Sequence, residues 1–379
     1  MGAKSKIRIL EGIRQGKVGG GESVLLNLVE HLNKDEFEPV VLSFTGGMMV
    51  EYLEQAGIPV HVIHSETPFD FRIRKKVKQL MIDEKIDLVH AHGTRAASNM
   101  FWAAKKNKLP LIYTCHGWSF HPDQHKIIRK LRIRSEKFLT EKADINICVS
   151  QSNADEGKRL FKNYQPLVIL NAVDTQKFDC NITGEGIRKD LRIKPEELLV
   201  SFIARFTWQK QPLALIRAFE NVVKEVPNIR LVMVGDGEEK EKAIRLIRER
   251  LLGEKIILLP FRRDVPELLA ASDIFVLPSL WEGLPMGLLE AMAMKKAIIA
   301  SRVDGTAEVI TDGENGILIN PADMEDELAQ SIIRLAKDES LRKTIAENAL
   351  GSVRNRYNVQ MMTRQNEAVY RKLIANMSL

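Results

Sequence analysis

A chain of 379 residues is long for one ordinary domain, and two domains of about 150–200 residues each are the natural division. With 45% hydrophobic and 28% charged residues it has the composition of a soluble globular protein, and no apolar run reaches the ~18–20 residues of a membrane-spanning helix. The net charge of +6 is confined to the first half: residues 1–175 hold 26 Lys and Arg against 20 Asp and Glu, while the remaining 204 hold 30 of each.

The start, MGAKSKIRIL, passes from a short basic segment straight into a strand pattern, which argues against a secretory leader. Lys6 also breaks the myristoylation pattern. Three scattered cysteines, Cys115, Cys148 and Cys180, form no CxxC pair, so free thiols in a reducing cytoplasm are expected. Strand-like runs then alternate with segments of helical spacing: KIRILEGI, EPVVLSF, PVHVIH, DLVHAH, PLIYTCH and INICVS. Such alternation predicts a parallel sheet covered on both faces.

After the first run, Gly19, Gly20 and Gly21 form a loop that opens a helix at about Glu22. Position 24 is Val24, so GxGxxG is not met, and the second strand lacks the terminal acid that would hold an adenosine ribose. No GxxxxGK(S/T) is present either. The expected use of the glycines is close approach of backbone to a phosphate or sugar. DLVHAH and PLIYTCH place His90, His92 and His116 at strand ends. A lone His is usually structural, these lack zinc spacing, there is no HExxH, and no metal is predicted.

Two basic segments hold most of the excess charge, FRIRKKVKQL (Phe71–Leu80) and KIIRKLRIRSEKF (Lys126–Phe138). In the second, Ile127, Ile128, Leu131 and Phe138 fall near one helical face, opposite Arg and Lys. Two readings stand side by side: a solvated basic helix packed on the domain by that face, or a surface for anionic lipid or an acidic glycan. Beyond VILNAVDTQKF, the polar, irregular stretch Asp179–Lys194 reads as the domain junction. A second series follows, LLVSFIARF, IRLVMVGDG, KIILLPF, DIFVLPS, AIIAS and NGILI, and the tail from about Val359 is helical in pattern. Two doubly wound units are therefore expected in tandem. Ligands of open parallel sheets sit beyond the carboxyl ends of strands, which points to a cleft between the two units.

FIARFTWQKQP puts Arg205 and Lys210 at such a strand end, where Arg as a bidentate donor and Lys as a point charge can clamp a diphosphate. WEGLPMGLLEAMA (Trp281–Ala293) sets Glu282 before a Gly/Pro turn and Glu290 about one turn into the helix that begins near Gly287. The unpaired N–H groups of a helix start suit phosphate. Two carboxylates flanking that cradle suit the hydroxyls of a nucleotide sugar. Each motif alone is also an ordinary surface turn; their occurrence in one α/β unit is what joins them.

Together these motifs resemble the retaining glycosyltransferases of the GT-B fold, family 4 (glycosyl transferases group 1). The resemblance rests on Arg205 and Lys210, the Glu282-to-Glu290 spacing, the Gly19–Gly21 loop, His116-Gly117, NAVD at Asn171–Asp174 and VGDGEEK from Val234. FRRDVPELLAASDIFVLPSLWEGLPMGLLEAMA and GTAEVITDGENGIL extend it over nearly the whole chain. It implies two Rossmann-like α/β domains, each a doubly wound parallel sheet, facing an inter-domain cleft. Residues 1–175, with a crossover helix at about 359–379, would bind the acceptor, and residues 176–358 the donor. The resemblance also implies roles: Arg205 and Lys210 on the donor diphosphate, Glu282 on sugar hydroxyls, Glu290 on the ribose. Backbone at Met286, Gly287 and Leu288 would meet sugar and phosphates, Gly20 or Gly21 the β-phosphate, and His116 the surroundings of the anomeric centre. Ala172 departs from the family's frequent N-G-V-D.

The implied reaction moves a sugar from a nucleotide diphosphate sugar, UDP-linked, with retention, to a hydroxyl of a glycan or lipid-linked acceptor in cell-envelope polysaccharide synthesis such as that of lipopolysaccharide. No separate cofactor, no metal and no nucleic acid takes part. The expected location is the cytoplasm, with peripheral contact at the inner, anionic face of the membrane through the basic N-terminal domain. One rival is a UDP-sugar epimerase on the same plan, which would turn over without an acceptor. Another is a sensor module that binds nucleotide sugars without transfer.

Overall fold

The computed structural model describes residues 6–17, 19–121 and 124–377. The basic start Met1–Ser5, on which the expectation of no leader partly rests, lies outside them, as does Val18 before the glycine loop. The chain forms two compact units, Met1–Ala172 with Val359–Leu379, and Val173–Asn358.

The N-terminal unit holds a seven-stranded sheet of β1 (Ile7–Ile13), β2 (Phe37–Ser43), β3 (Val60–Val62), β4 (Leu88–His92), β5 (Leu111–Cys115), β6 (Ile145–Cys148) and β7 (Leu167–Val168). The order is β3-β2-β1-β4-β5-β6-β7, parallel throughout, so the winding reverses between β1 and β4. Every residue of β4 and β5 is buried, as expected for strands covered on both faces. One face packs Leu10, Leu42, Val89 and Tyr113 against Met100 and Ala103 of the helix Gly93–Lys106. The other packs Ile13 and Val41 against Leu25 and Val29 of the helix Gly20–His31. The helix Val359–Met377 belongs to this unit and buries Met362, Val369 and Tyr370.

The second unit has a six-stranded parallel sheet of β8 (Leu198–Ile203), β9 (Ile229–Val234), β10 (Ile256–Leu259), β11 (Ile274–Leu277), β12 (Ala297–Ser301) and β13 (Ile317–Ile319). Its order, β10-β9-β8-β11-β12-β13, reverses between β8 and β11. Phe202, Phe206, Leu215 and Phe219 fill the core beneath the helix Pro212–Glu225.

Three expectations change. The stretch Asp179–Lys194 is no linker, since the units divide between Ala172 and Val173. It contains the helix Glu185–Asp190, and Ile187 and Ile193 pack with Leu199, Val232 and Leu268. Gly184 sits so close to the backbone of Ala271 that a Cβ there would lie 2.1 Å from its nitrogen. Two anchors in a short polar segment are too few to show a periodicity. The helix Lys126–Lys142 packs through Ile133, Glu136, Leu139 and Thr140, leaving Ile127 64% and Leu131 59% exposed. The packed-face reading therefore fails for Ile127, Ile128 and Leu131, which stay largely exposed, while Phe138 sets its ring against those of Phe69 and Phe101. Finally, the first helix begins at Gly20 rather than Glu22, and the two-residue edge strand β7 was not legible in the sequence. Ala172 is not among the residues of positive φ, and its buried carbonyl accepts a hydrogen bond from Asn27 Nδ2 at 3.0 Å, so alanine suits the position.

Candidate active site

In the C-terminal unit, Arg205 and Lys210 follow β8 and Glu282 follows β11, the two strands between which the order reverses. The loop after β9 fixes the first of these segments. Phe206 N donates to Asp236 O at 2.8 Å, and Glu239 N donates to Phe206 O at 2.9 Å. Gly235 (φ 142°) and Gly237 (φ 152°) stand where a Cβ would meet Ala204 O at 2.1 Å and Phe206 O at 2.3 Å. Only glycine combines that conformation with that approach. Phe206 is thereby buried and Arg205 is turned out to solvent, its side chain making no hydrogen bond or ion pair among the described residues. The short turn Trp208–Lys210 leads through Gln211, in the left-handed region, into the helix begun by Pro212.

The loops after β8 and β11 are stitched together. Leu280 N donates to Gln209 O at 2.8 Å, and Gln209 Nε2 donates to Trp281 O at 2.6 Å. Lys210 Nζ pairs directly with Glu282 Oε1. Both side chains are largely buried, so each is the other's charge partner. The short helix Asp304–Val309 that follows β12 backs this arrangement: a Cβ on Gly305 would lie 1.5 Å from Gly283 O. The helix Met286–Ala293 starts at Pro285 without a side-chain cap. Its first N–H groups, from Met286 and Gly287, are the kind that bind anions. A Cβ on Gly287 would make only ordinary contacts, the nearest being Ile203 O at 3.6 Å. Glu290 lies one turn on; burial, only partly offset by Lys177, pushes its carboxyl up to about 7.

In the N-terminal unit, Gly19, Gly20 and Gly21 follow β1 and His116 follows β5. A Cβ on Gly19 would strike Glu22 Oε2 at 2.6 Å, one on Gly20 would meet nothing, and one on Gly21 would lie 3.6 Å from the His116 ring. Below this loop is a polar network, buried at Glu11, His90 and His92 and partly exposed at His116. Glu11, in the middle of β1, is wholly buried. Its Oε2 accepts from His92 Nε2 at 2.8 Å, and its Oε1 accepts from Tyr370 Oη at 2.9 Å. His92 Nδ1 lies 2.9 Å from His116 Nε2. His90 bridges Tyr370 Oη and Thr114 Oγ1, each at 2.7 Å. Burial pushes the Glu11 carboxyl up, but His90 and His92 outweigh it and hold it below the ordinary carboxylate range. Burial, helped by His90, pushes His92 down to about 4 despite Glu11, and burial beside His92 pushes His116 well below its ordinary value. Glu11, His90 and His92 offer ligand atoms within 4.8 Å of one another, all engaged in hydrogen bonds within the network.

The structure thus brings Lys210 to Glu282 and His116 to Gly21, and sets Arg205 and Glu290 on the same strand-end loop and helix as their partners. Glu11 and Tyr370 belong to no motif and escape sequence reasoning. One signal was available: Glu11 interrupts an apolar strand that a doubly wound sheet covers on both faces, and a buried carboxylate needs partners.

Two strand-end loops meeting at the reversal point of a parallel sheet, carrying cations and carboxylates, define a nucleotide-type site on an α/β unit. Comparison with known proteins gives the family. The model "Glycosyltransferase Family 4" matches residues 18–177, and the model "Glycosyl transferases group 1" matches residues 184–351. A glycosyltransferase of Methanocaldococcus jannaschii is 30% identical over 315 residues, 72% of this chain and 77% of that one. The chain belongs to the family 4, group 1 glycosyltransferases, and its two parallel-sheet units are those of the GT-B fold. The Escherichia coli UDP-Gal:alpha-D-GlcNAc-diphosphoundecaprenol alpha-1,3-galactosyltransferase is 26% identical over 383 residues, 98% of each chain. The crystal structure of Anabaena Alr3699/HepE in complex with UDP and glucose superposes with a TM-score of 0.86 at 25% identity, covering 96% of this chain and 99% of that one.

Proposed function

We propose that this protein is a retaining, metal-independent glycosyltransferase that moves a sugar from a UDP-sugar to a hydroxyl of a lipid-linked or glycan acceptor in envelope polysaccharide synthesis. The observation that carries this reading is the placement of Arg205, Lys210 and Glu282 on the paired loops after β8 and β11. The similarity to an enzyme named for UDP-Gal and a diphosphoundecaprenol acceptor supports the substrate classes, as does the likeness to a structure holding UDP and glucose. Arg205 and Lys210 neutralise the departing diphosphate, and the N–H groups of Met286 and Gly287 cradle it; the Leu288 N–H is already given to Pro285 O at 3.2 Å, so Leu288 does not join them through its N–H. Glu282 accepts from sugar hydroxyls once Lys210 turns to phosphate. The acceptor hydroxyl attacks on the leaving-group side and hands its proton to the departing phosphate, so electrostatic stabilisation and alignment lower the barrier. In the N-terminal unit, His116 and the glycine loop serve the transferred sugar and the β-phosphate. A melting screen against UDP-, GDP- and ADP-sugars tests the donor: UDP-sugars should raise Tm most, and a rise with GDP- or ADP-sugars alone would remove the UDP assignment. Turnover undiminished by EDTA is expected; strict dependence on magnesium would contradict the metal-free mechanism.

Glu290 gives a pH test. With its carboxyl near pKa 7, it is mostly protonated at pH 6 and mostly ionised at pH 8. Ribose hydroxyls donate to the ionised form, so UDP-glucose affinity should rise by about tenfold from pH 6 to pH 8. The fold pulls the other way. The folded pKa exceeds the ordinary 4.5, so ionisation of Glu290 reduces stability as pH climbs through this window. Calorimetry of the wild type and Glu290→Gln decides the matter; an equal slope in both would exclude Glu290 from the ribose site.

The exposed Ile127, Ile128 and Leu131, flanked by exposed Lys126, Lys130, Arg132 and Arg134, suit the surface of an anionic bilayer. Among the described residues, no helix is long and apolar enough to cross a membrane. Co-sedimentation with vesicles containing phosphatidylglycerol is expected, and loss of it in Ile127→Ser/Leu131→Ser. Sedimentation indifferent to lipid charge would remove membrane docking from the reading.

A further inference from the structure

The network below the glycine loop contains more polar groups than the proposed chemistry uses. Its hydrogen atoms can be assigned one at a time. Glu11 is ionised, so both its oxygens can only accept. His92 is neutral near pH 7 and carries one N–H, which must lie on Nε2 to meet Glu11 Oε2 at 2.8 Å. Its Nδ1 is then a bare lone pair. The atom facing that lone pair at 2.9 Å, His116 Nε2, must therefore carry the hydrogen of the His116 ring. His116 Nδ1 is left without a hydrogen, and it is buried with no partner among the described residues. The rings of His92 and His116 lie near parallel, with centroids 5.2 Å apart and planes 20° apart, beside the hydrogen bond that joins them. Tyr370, from the helix Val359–Met377, holds Glu11 from the other side; burial and Glu11 push its hydroxyl up, so it remains a donor.

We infer that Glu11, acting through His92, is a positioning residue that locks His116 in its Nε2–H tautomer, so that Nδ1 offers a lone pair to a substrate hydroxyl. This rests on the reading of His116 as a group beside the transferred sugar. An imidazole of the opposite tautomer would present N–H to a hydroxyl oxygen instead, and the sugar or acceptor would have to turn its own hydrogen away. The specificity of the contact is then set two residues from the substrate, by a carboxylate in the middle of β1.

The test uses the full chain, labelled with nitrogen-15 at histidine. Imidazole spectra at neutral pH should show His116 with Nε2 protonated and Nδ1 bare. Glu11→Gln is nearly isosteric and can donate as well as accept; in it, His116 should become a mixture of tautomers. UDP release from UDP-glucose should fall by about 10–100-fold in kcat, by analogy with other partners that orient a functional histidine, with little change in KM. Glu11→Asp should recover part of the rate and the wild-type tautomer. A wild-type His116 protonated at Nδ1 would overturn the proposal, and that spectrum decides even if Glu11→Gln does not fold. Stoichiometric zinc in the purified protein, held by Glu11, His90 and His92, would overturn it as well, because the lone pairs would then lie on the metal. A tautomer that changes in Glu11→Gln with kcat unaltered would remove the substrate contact while leaving glycosyl transfer standing. Absence of transfer by the wild type would instead strike the functional reading and leave the tautomer assignment intact.

Discussion

Arg205→Ala and Lys210→Ala should each lower turnover by about 10²–10³-fold, the range lost when a preorganised donor is removed from a developing negative charge. The two substitutions differ in what else they disturb. Arg205 is exposed and makes no ion pair among the described residues, so its loss should leave Tm within about 1 °C while kcat collapses. Lys210 is different, because its removal strands the Glu282 carboxylate, which is 8% exposed. An unpaired buried charge costs several kcal/mol unless the group protonates or water reaches it. Lys210→Ala should therefore lose stability as well, and Lys210→Ala/Glu282→Gln should regain the stability but not the activity. Near-full activity of both single variants would refute the diphosphate clamp. Glu282→Gln alone should relax the choice among donor sugars.

Gly305→Ala should be nearly as damaging although position 305 carries no chemistry. Its Cβ would lie 1.5 Å from Gly283 O, and a backbone carbonyl cannot rotate aside as a long side chain can. The segment from Trp281 to Leu284 must shift, and with it Glu282. Overpacking of this kind costs about 1–3 kcal/mol, and displacement of a functional group by about 1 Å costs about 10²-fold in rate. Gly287→Ala is the control. Its Cβ would make an ordinary contact at 3.6 Å, so Tm should hold, and any loss of UDP affinity would report on the ligand's own need for space. Wild-type kcat in Gly305→Ala would show that the helix Asp304–Val309 does not fix the Glu282 turn.

What the sequence disclosed followed from burial and chain proximity. Among the described residues, twelve of the thirteen strands announce themselves because a sheet covered on both faces needs largely apolar runs, and only the two-residue β7 is too short to do so. Arg205 with Lys210, and Glu282 with Glu290, lie within single loops or one turn of helix, so their spacing is readable. The contacts that organise them are not. Lys210 meets Glu282 across 72 residues, and Tyr370 meets Glu11 across 359, with no local pattern to tie either pair. Histidines at strand ends looked individually structural, and His90 and His92 are indeed fully packed. The link from His92 to His116 exists only because β4 and β5 are neighbours in parallel register. Ile127, Ile128 and Leu131 show the opposite failure: an apolar stripe was plain, but nothing in it said that the helix would seat itself by Ile133 and Leu139 instead.

The helix Val359–Met377 completes the unit that holds Glu11, yet the ribosome makes it only after all of Val173–Asn358 has emerged. Domains commonly fold in the order of their synthesis. Here the order is inverted in part: the continuous second unit has everything it needs first, while the earlier one waits with Phe37 and the Glu11 carboxyl uncovered for a segment nearly two hundred residues downstream. Nascent chains arrested before Val359 should accordingly be the ones that chaperones hold.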